Sequence, residues 1–148
     1  MEDKELKTTT DVEDYIKICL AGVAAEELYF NQRTTGSSLD IENAKNSIRK
    51  LVRLYCVCGF DKIDISYSST EWSTETDDYS ECKKKKMERA ENKLFKNLYK
   101  ETKKMLSKNR KLLESIVDAL LDKKVLGKEE IIGIYDSYRM RNLKSATM

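Results

Sequence analysis

The sequence predicts an all-α fold, a bundle of about five helices. Three observations carry that expectation. Proline is absent from all 148 residues and glycine occurs only five times, so little interrupts a helix. The chain is rich in lysine, glutamate and leucine, which are good helix formers. Apolar residues recur at helical spacing in successive segments separated by polar links. A chain of this length suits one domain and buries roughly two-thirds of its unfolded surface.

The first helix is expected to start at Thr10, where Thr10-Asp11-Val12-Glu13 has the form of a capping box. Val12, Ile16, Cys19, Leu20, Val23 and Ala24 then make one apolar stripe, and Leu28, Tyr29 and Phe30 close the helix. The polar run NQRTTGSS forms a loop. A second helix starts near Ser38 or Asp40, with Ile41, Ala44, Ile48, Leu51, Val52 and Tyr55 on its apolar face. CVCGF ends it, Gly59 being free to take a left-handed cap.

Residues 61–80 are the least regular. Ile63, Ile65 and Tyr67 alternate, which allows a short strand near 63–67, and the remainder reads as a loop. Trp72 either anchors that loop to the core or sits exposed at a contact. A long third helix is expected from Glu81 to Ser107 through Met87, Ala90, Leu94, Leu98, Met105 and Leu106. Asn109 reads as the N-cap of a fourth helix that buries Leu112, Leu113, Ile116, Val117, Leu120 and Leu121. Gly127 breaks the chain. A short last helix follows from Glu129 to Tyr138 through Ile131, Ile132 and Tyr135. Residues 1–9 and 139–148 are expected to be flexible ends of a domain spanning 10–138.

Composition narrows the partners. Net charge is +2 from 28 basic and 26 acidic residues, so neither nucleic acid nor a membrane surface is indicated. Lys83 to Lys86 is the one concentrated basic patch. It reads either as the solvated start of a helix or as a phosphate-binding patch, though no aromatic residues alternate with the lysines. No apolar run approaches the length of a membrane span. The start, MEDKELK, is unlike a signal peptide, so a cytoplasmic location is expected. Cys19, Cys56, Cys58 and Cys82 are then expected as reduced thiols. A zinc site made of all four is disfavoured, because Cys56 and Cys58 are separated by one residue only.

Several segments resemble one family. LAGVAAEELYF (20–30) is similar to the small-residue helix GGRxAEExxFG of FtsH-like AAA zinc proteases, and TTGSSLDIENAKNSIRKLV (34–52) is similar to its TGASNDIxxATxIARxMV. Gly59-Phe60 resembles the glycine step that follows, and LSKNRKLLESIVDALLDKKVLGKEEI (106–131) resembles the closing helix, turn and short helix. The order is kept over about residues 10–138. The resemblance implies the helical, C-terminal part of that peptidase domain. In that family an ATPase module precedes the peptidase, and the whole is similar to a hexameric ring that degrades unfolded or membrane proteins. It also implies a zinc ion held by two histidines of a His-Glu-x-x-His helix and by one aspartate, which Asp40 matches here.

The departures bear on activity. The 148 residues contain no histidine. Catalytic zinc needs three protein ligands and an open position for water, with a general base beside it. One possible ligand of three is present. There is no G-x-x-x-x-G-K-[ST] phosphate loop either, so ATP is not expected by that route. Asp40 has two readings: a helix cap suited to the positive end of the dipole, or the family's third zinc ligand. Glu26 and Glu27 read as structural hydrogen-bond partners or surface charge rather than as a catalytic pair. The chain is therefore expected to have no catalytic residues and no cofactor of its own, and to be inactive alone. Its expected partner is a second copy or an FtsH-like chain, with no nucleic acid and no direct membrane insertion. The alternative is the C-terminal part of an active zinc metalloendopeptidase whose zinc helix lies on another chain or has been removed from the sequence in hand.

Overall fold

The structure, a computed structural model, describes residues 8–53 and 81–146, with side chains described as far as Arg141. It is all-α: α1 (Thr9–Phe30), a 3-10 turn (Thr35–Ser37), α2 (Ser38–Arg53), α3 (Glu81–Lys108), α4 (Arg110–Lys123) and α5 (Lys128–Ala146). There is no strand among the described residues. The possible strand at 63–67, Trp72, Tyr55, Cys56, Cys58 and the Gly59 cap lie outside them. The chain divides into two compact units, residues 1–103 and 104–148.

In the first unit, the core follows the stripes that the sequence predicts. Ile16, Cys19 and Leu20 of α1 meet Ala44, Ile48, Leu51 and Val52 of α2, and Met87 and Leu98 of α3 complete the cluster. Val12, Ala90, Leu94, Phe95 and Tyr99 pack against it. Three helices suffice because each presents an apolar face about a third of its circumference wide.

The start of α1 differs from expectation. Thr8, not Thr10, is the N-cap: its hydroxyl accepts the Asp11 amide at 3.2 Å, while the Asp11 carboxylate accepts the Thr8 amide at 2.7 Å. The box therefore closes one turn earlier, with the shorter acid. At its other end Asn31 takes a left-handed conformation, φ 51°, and donates its amide to the Glu27 carbonyl at 3.1 Å.

The second unit departs further. Asn109 precedes α4 as expected, yet its side chain does not cap that helix. It turns back and donates to the Met105 carbonyl at 2.9 Å, satisfying the end of α3. No residue of α4 is buried, and Val117, Leu120 and Leu121 are exposed. Two helices packed on each other cover only their facing stripes, so the remaining apolar positions of each lie open. The chain turns at Lys124, φ 63°, rather than at Gly127. Gly127 instead begins α5, its amide donating to Glu130 at 2.9 Å. Lys123 also pairs with Glu130. α5 runs to Ala146, past the expected end at Tyr138, because nothing after Gly133 disfavours a helix.

Candidate functional site

The segment that matters links α1 to α2. Residues 31–36 are all exposed, and Ser37 is the first buried residue after the helix. A loop without an apolar anchor must be held by polar contacts. Two successive glutamates supply them. Glu26 accepts the Thr34 amide at 3.0 Å on one oxygen and the Thr34 hydroxyl at 2.9 Å on the other. Glu27 accepts Arg33 at 3.1 Å and Lys103 at 3.0 Å, and also the Tyr99 phenol. The Ser37 hydroxyl then closes onto the Thr34 carbonyl at 3.1 Å, and α2 begins at the next residue.

These contacts decide what the carboxylates can do. The Tyr99 phenol foremost, then Lys103 and Arg33, lower the Glu27 carboxyl to about 2. A carboxylate that acidic is a poor general base near neutral pH, and its oxygens already accept from three donors. Arg33 and Lys103 also lie 5.4 Å and 5.9 Å from the centroid of the Tyr99 ring. Burial, with Glu27 accepting its proton, pushes the Tyr99 phenol up. Arg33, Thr34, Tyr99 and Lys103 were not singled out by the sequence. Tyr99 and Lys103 stand one turn apart on α3, a spacing that looks like any mixed helix surface.

Asp40 is exposed in the first turn of α2. Among the described residues it accepts no backbone amide, so it serves the helix through the dipole rather than as a hydrogen-bonded cap. Its neighbour across the unit is Tyr15 of α1. The Tyr15 phenol is raised chiefly by its hydrogen bond with Cys19 and in lesser part by the Asp40 charge. Among the described residues no group of three or more histidine, cysteine, aspartate or glutamate side chains could hold a metal ion. The described residues therefore do not by themselves assemble a three-ligand site for the family's zinc ion. Cys19 is buried and Cys82 exposed, and both are free thiols; Cys56 and Cys58 lie outside the described residues.

A second feature of the same unit is a groove of about 400 Å³ between α2 and α3. Lys45, Arg49 and Arg53 line one wall, Glu88 and Glu91 the other, with Ile48 and Phe95 between. It contains no nucleophile. The Lys83–Lys86 run lies on the first turns of α3, where Lys84 pairs with Glu81 at 3.7 Å.

Fold and site together describe an all-helical scaffold that clamps a tight turn and presents one carboxylate at the head of the next helix. The chain belongs to peptidase family M41, whose family model matches residues 1–134. It is 32% identical over 141 residues to an ATP-dependent zinc metalloprotease FtsH of Clostridium perfringens, covering 93% of this chain and 20% of that protein. It is 34% identical over 139 residues to the FtsH of Pseudothermotoga lettingae, covering 88% and 22%. With the FtsH of Thermotoga maritima the identity is 30% over 142 residues, covering 88% and 22%. The chain thus spans about one-fifth of the length of the relatives it matches. No helix among the described residues is long and apolar enough to cross a membrane.

Proposed function

We propose that this chain is a non-catalytic member of the M41 framework, acting in the cytoplasm as an assembly or binding module. It self-associates or joins an FtsH-like metalloprotease chain, and it binds no nucleic acid and does not insert directly into a membrane. The observation that carries this reading is the pairing of a retained helical scaffold with a complete lack of histidine. Within these 148 residues, the glutamates nearest the family's motif are spent on holding a loop. The open apolar residues Val117, Leu120, Leu121, Ile131, Ile132 and Tyr135 support self-association. The test is elemental analysis of the purified chain together with casein hydrolysis in added zinc. Neither stoichiometric metal nor hydrolysis is expected. One tightly bound zinc per chain, with casein cleaved, overturns the reading.

One observation favours a second reading, in which the chain completes an active zinc metalloendopeptidase. Asp40 is exposed and takes no backbone amide among the described residues, so its carboxylate stays available to a metal brought by another chain. Sequencing the coding region upstream of Met1 and co-purifying bound chains tests this. A His-Glu-x-x-His frame in either, with zinc retained by the complex and lost on Asp40→Ala, supports the second reading over the first.

A further inference from the structure

We infer that Glu27 is the node of a releasable clasp through which α3 sets the 31–37 loop and, with it, the head of α2. This holds under either reading of the function. One carboxylate receives three donors from two separate elements: Arg33 from the loop, and Tyr99 and Lys103 from α3. The carbonyl of the same residue receives the Asn31 amide, where the chain leaves α1 in a left-handed conformation. Backbone and side chain of Glu27 therefore fix the exit together.

Among the described residues the loop's remaining holds are Glu26 on Thr34 and the Ser37 hydroxyl on the Thr34 carbonyl. Residues 31–36 are exposed, so no apolar burial opposes their movement. What remains is a relay of polar contacts. Tyr99 and Lys103 hold Glu27, Glu27 holds Arg33, Glu26 holds Thr34, and Thr34 receives the Ser37 hydroxyl one residue before α2. Charge-assisted hydrogen bonds of this kind are stronger than neutral ones, so the loop is well held while the node is charged. Removing the node leaves two cations, Arg33 and Lys103, beside one aromatic ring with no counter-charge between them. They then separate, and the loop goes with Arg33. The neighbouring carboxylate of Glu26 cannot substitute, because both of its oxygens are engaged by Thr34. The clasp thus couples the loop to α3, a helix far from it in sequence.

The test is hydrogen exchange of the full chain, read on peptides covering 32–40, with α4 peptides as an internal control. Tyr99→Phe keeps the ring and removes only the donor. It is expected to speed exchange of the Thr34 amide, which Glu26 accepts, about tenfold, the size of one charge-assisted hydrogen bond, and to leave α4 unchanged. Arg33→Gln is expected to do the same in the wild-type background and to add nothing in a Glu27→Gln background. If Glu27→Gln does not fold, the Tyr99→Phe comparison alone decides. Unchanged loop exchange in folded Tyr99→Phe overturns the clasp, and so does a full additive effect of Arg33→Gln on Glu27→Gln.

Discussion

Arg53 at the end of α2 and Glu91 on α3 form an ion pair at 2.6 Å, and their side chains are only 19% and 15% exposed. The pair ties α2 to α3 through two residues 38 apart in sequence. In such shelter, removing one partner strands the other charge in a poor solvent. Glu91→Ala is expected to destabilise the chain by about 2 kcal/mol, somewhat less than for a fully buried pair. Replacing both together, Arg53→Met with Glu91→Leu, is expected to cost less than the single change. Urea unfolding of the three variants measures this. A double variant worse than Glu91→Ala contradicts the desolvation argument.

Glu27 gives the stability a pH signature. Its carboxyl is lowered in the folded state from 4.5 to about 2. A depressed folded value favours the ionised form, so its contribution is complete above the unfolded value near 4.5. It is lost as pH falls from there towards 2. The stability difference between wild type and Glu27→Gln is therefore expected to be constant from pH 7 to 5 and to shrink at pH 4 and 3. Urea midpoints at those pH values read it. Parallel curves throughout would show that Glu27 is not held by Tyr99, Lys103 and Arg33 in solution.

The α1 cap separates two local readings. Thr8→Ala is expected to cost about 1 kcal/mol, because the Asp11 amide loses its acceptor and the box opens. Thr10→Ala is expected to be near neutral, since Thr10 lies inside the helix. Exchange at the first turn of α1, together with global unfolding, distinguishes the two. A larger effect from Thr10 restores the later start.

How much the sequence reveals depends on the range of the interaction. Ala44, Ile48, Leu51 and Val52 are legible because a buried helical face repeats with the period of the helix itself. The cap is half legible: Thr8-x-x-Asp11 and Thr10-x-x-Glu13 both fit the pattern, and the choice between them depends on a geometry that spacing does not encode. Leu121 shows a different limit. Periodicity gives the face on which it lies, not whether anything covers that face, and it is 74% exposed. The family's aspartate was matched to Asp40 from motif order alone. The clasp was not legible, because Glu27 and Tyr99 lie 72 residues apart and their contact is polar, without periodicity.

That contrast has a mutational form. Leu20 is 1% exposed within the three-helix cluster, so Leu20→Ala leaves a cavity and is expected to cost about 3 kcal/mol. Leu121→Ala removes a side chain already in water and is expected to change stability of the monomer by less than about 0.5 kcal/mol. Unfolding at low protein concentration checks both. A concentration-dependent loss in Leu121→Ala alone would mark α4 as a contact between copies.

Gly22 offers a change in the opposite direction. It sits in the interior of α1, exposed, and a Cβ built there meets nothing within 4 Å. Glycine in a helix costs about 0.5–1 kcal/mol relative to alanine, because the unfolded chain has more conformations to lose. Gly22→Ala keeps the helical backbone, adds no clash, and is expected to stabilise the chain by about that amount. Thermal and urea unfolding should agree on the sign. Ile18, one turn earlier on the same helix, is 72% exposed, so nothing among the described residues covers this face of α1. A destabilised Gly22→Ala would mean that a surface packs closely on that face in solution, since the space around the residue gives no other source of strain.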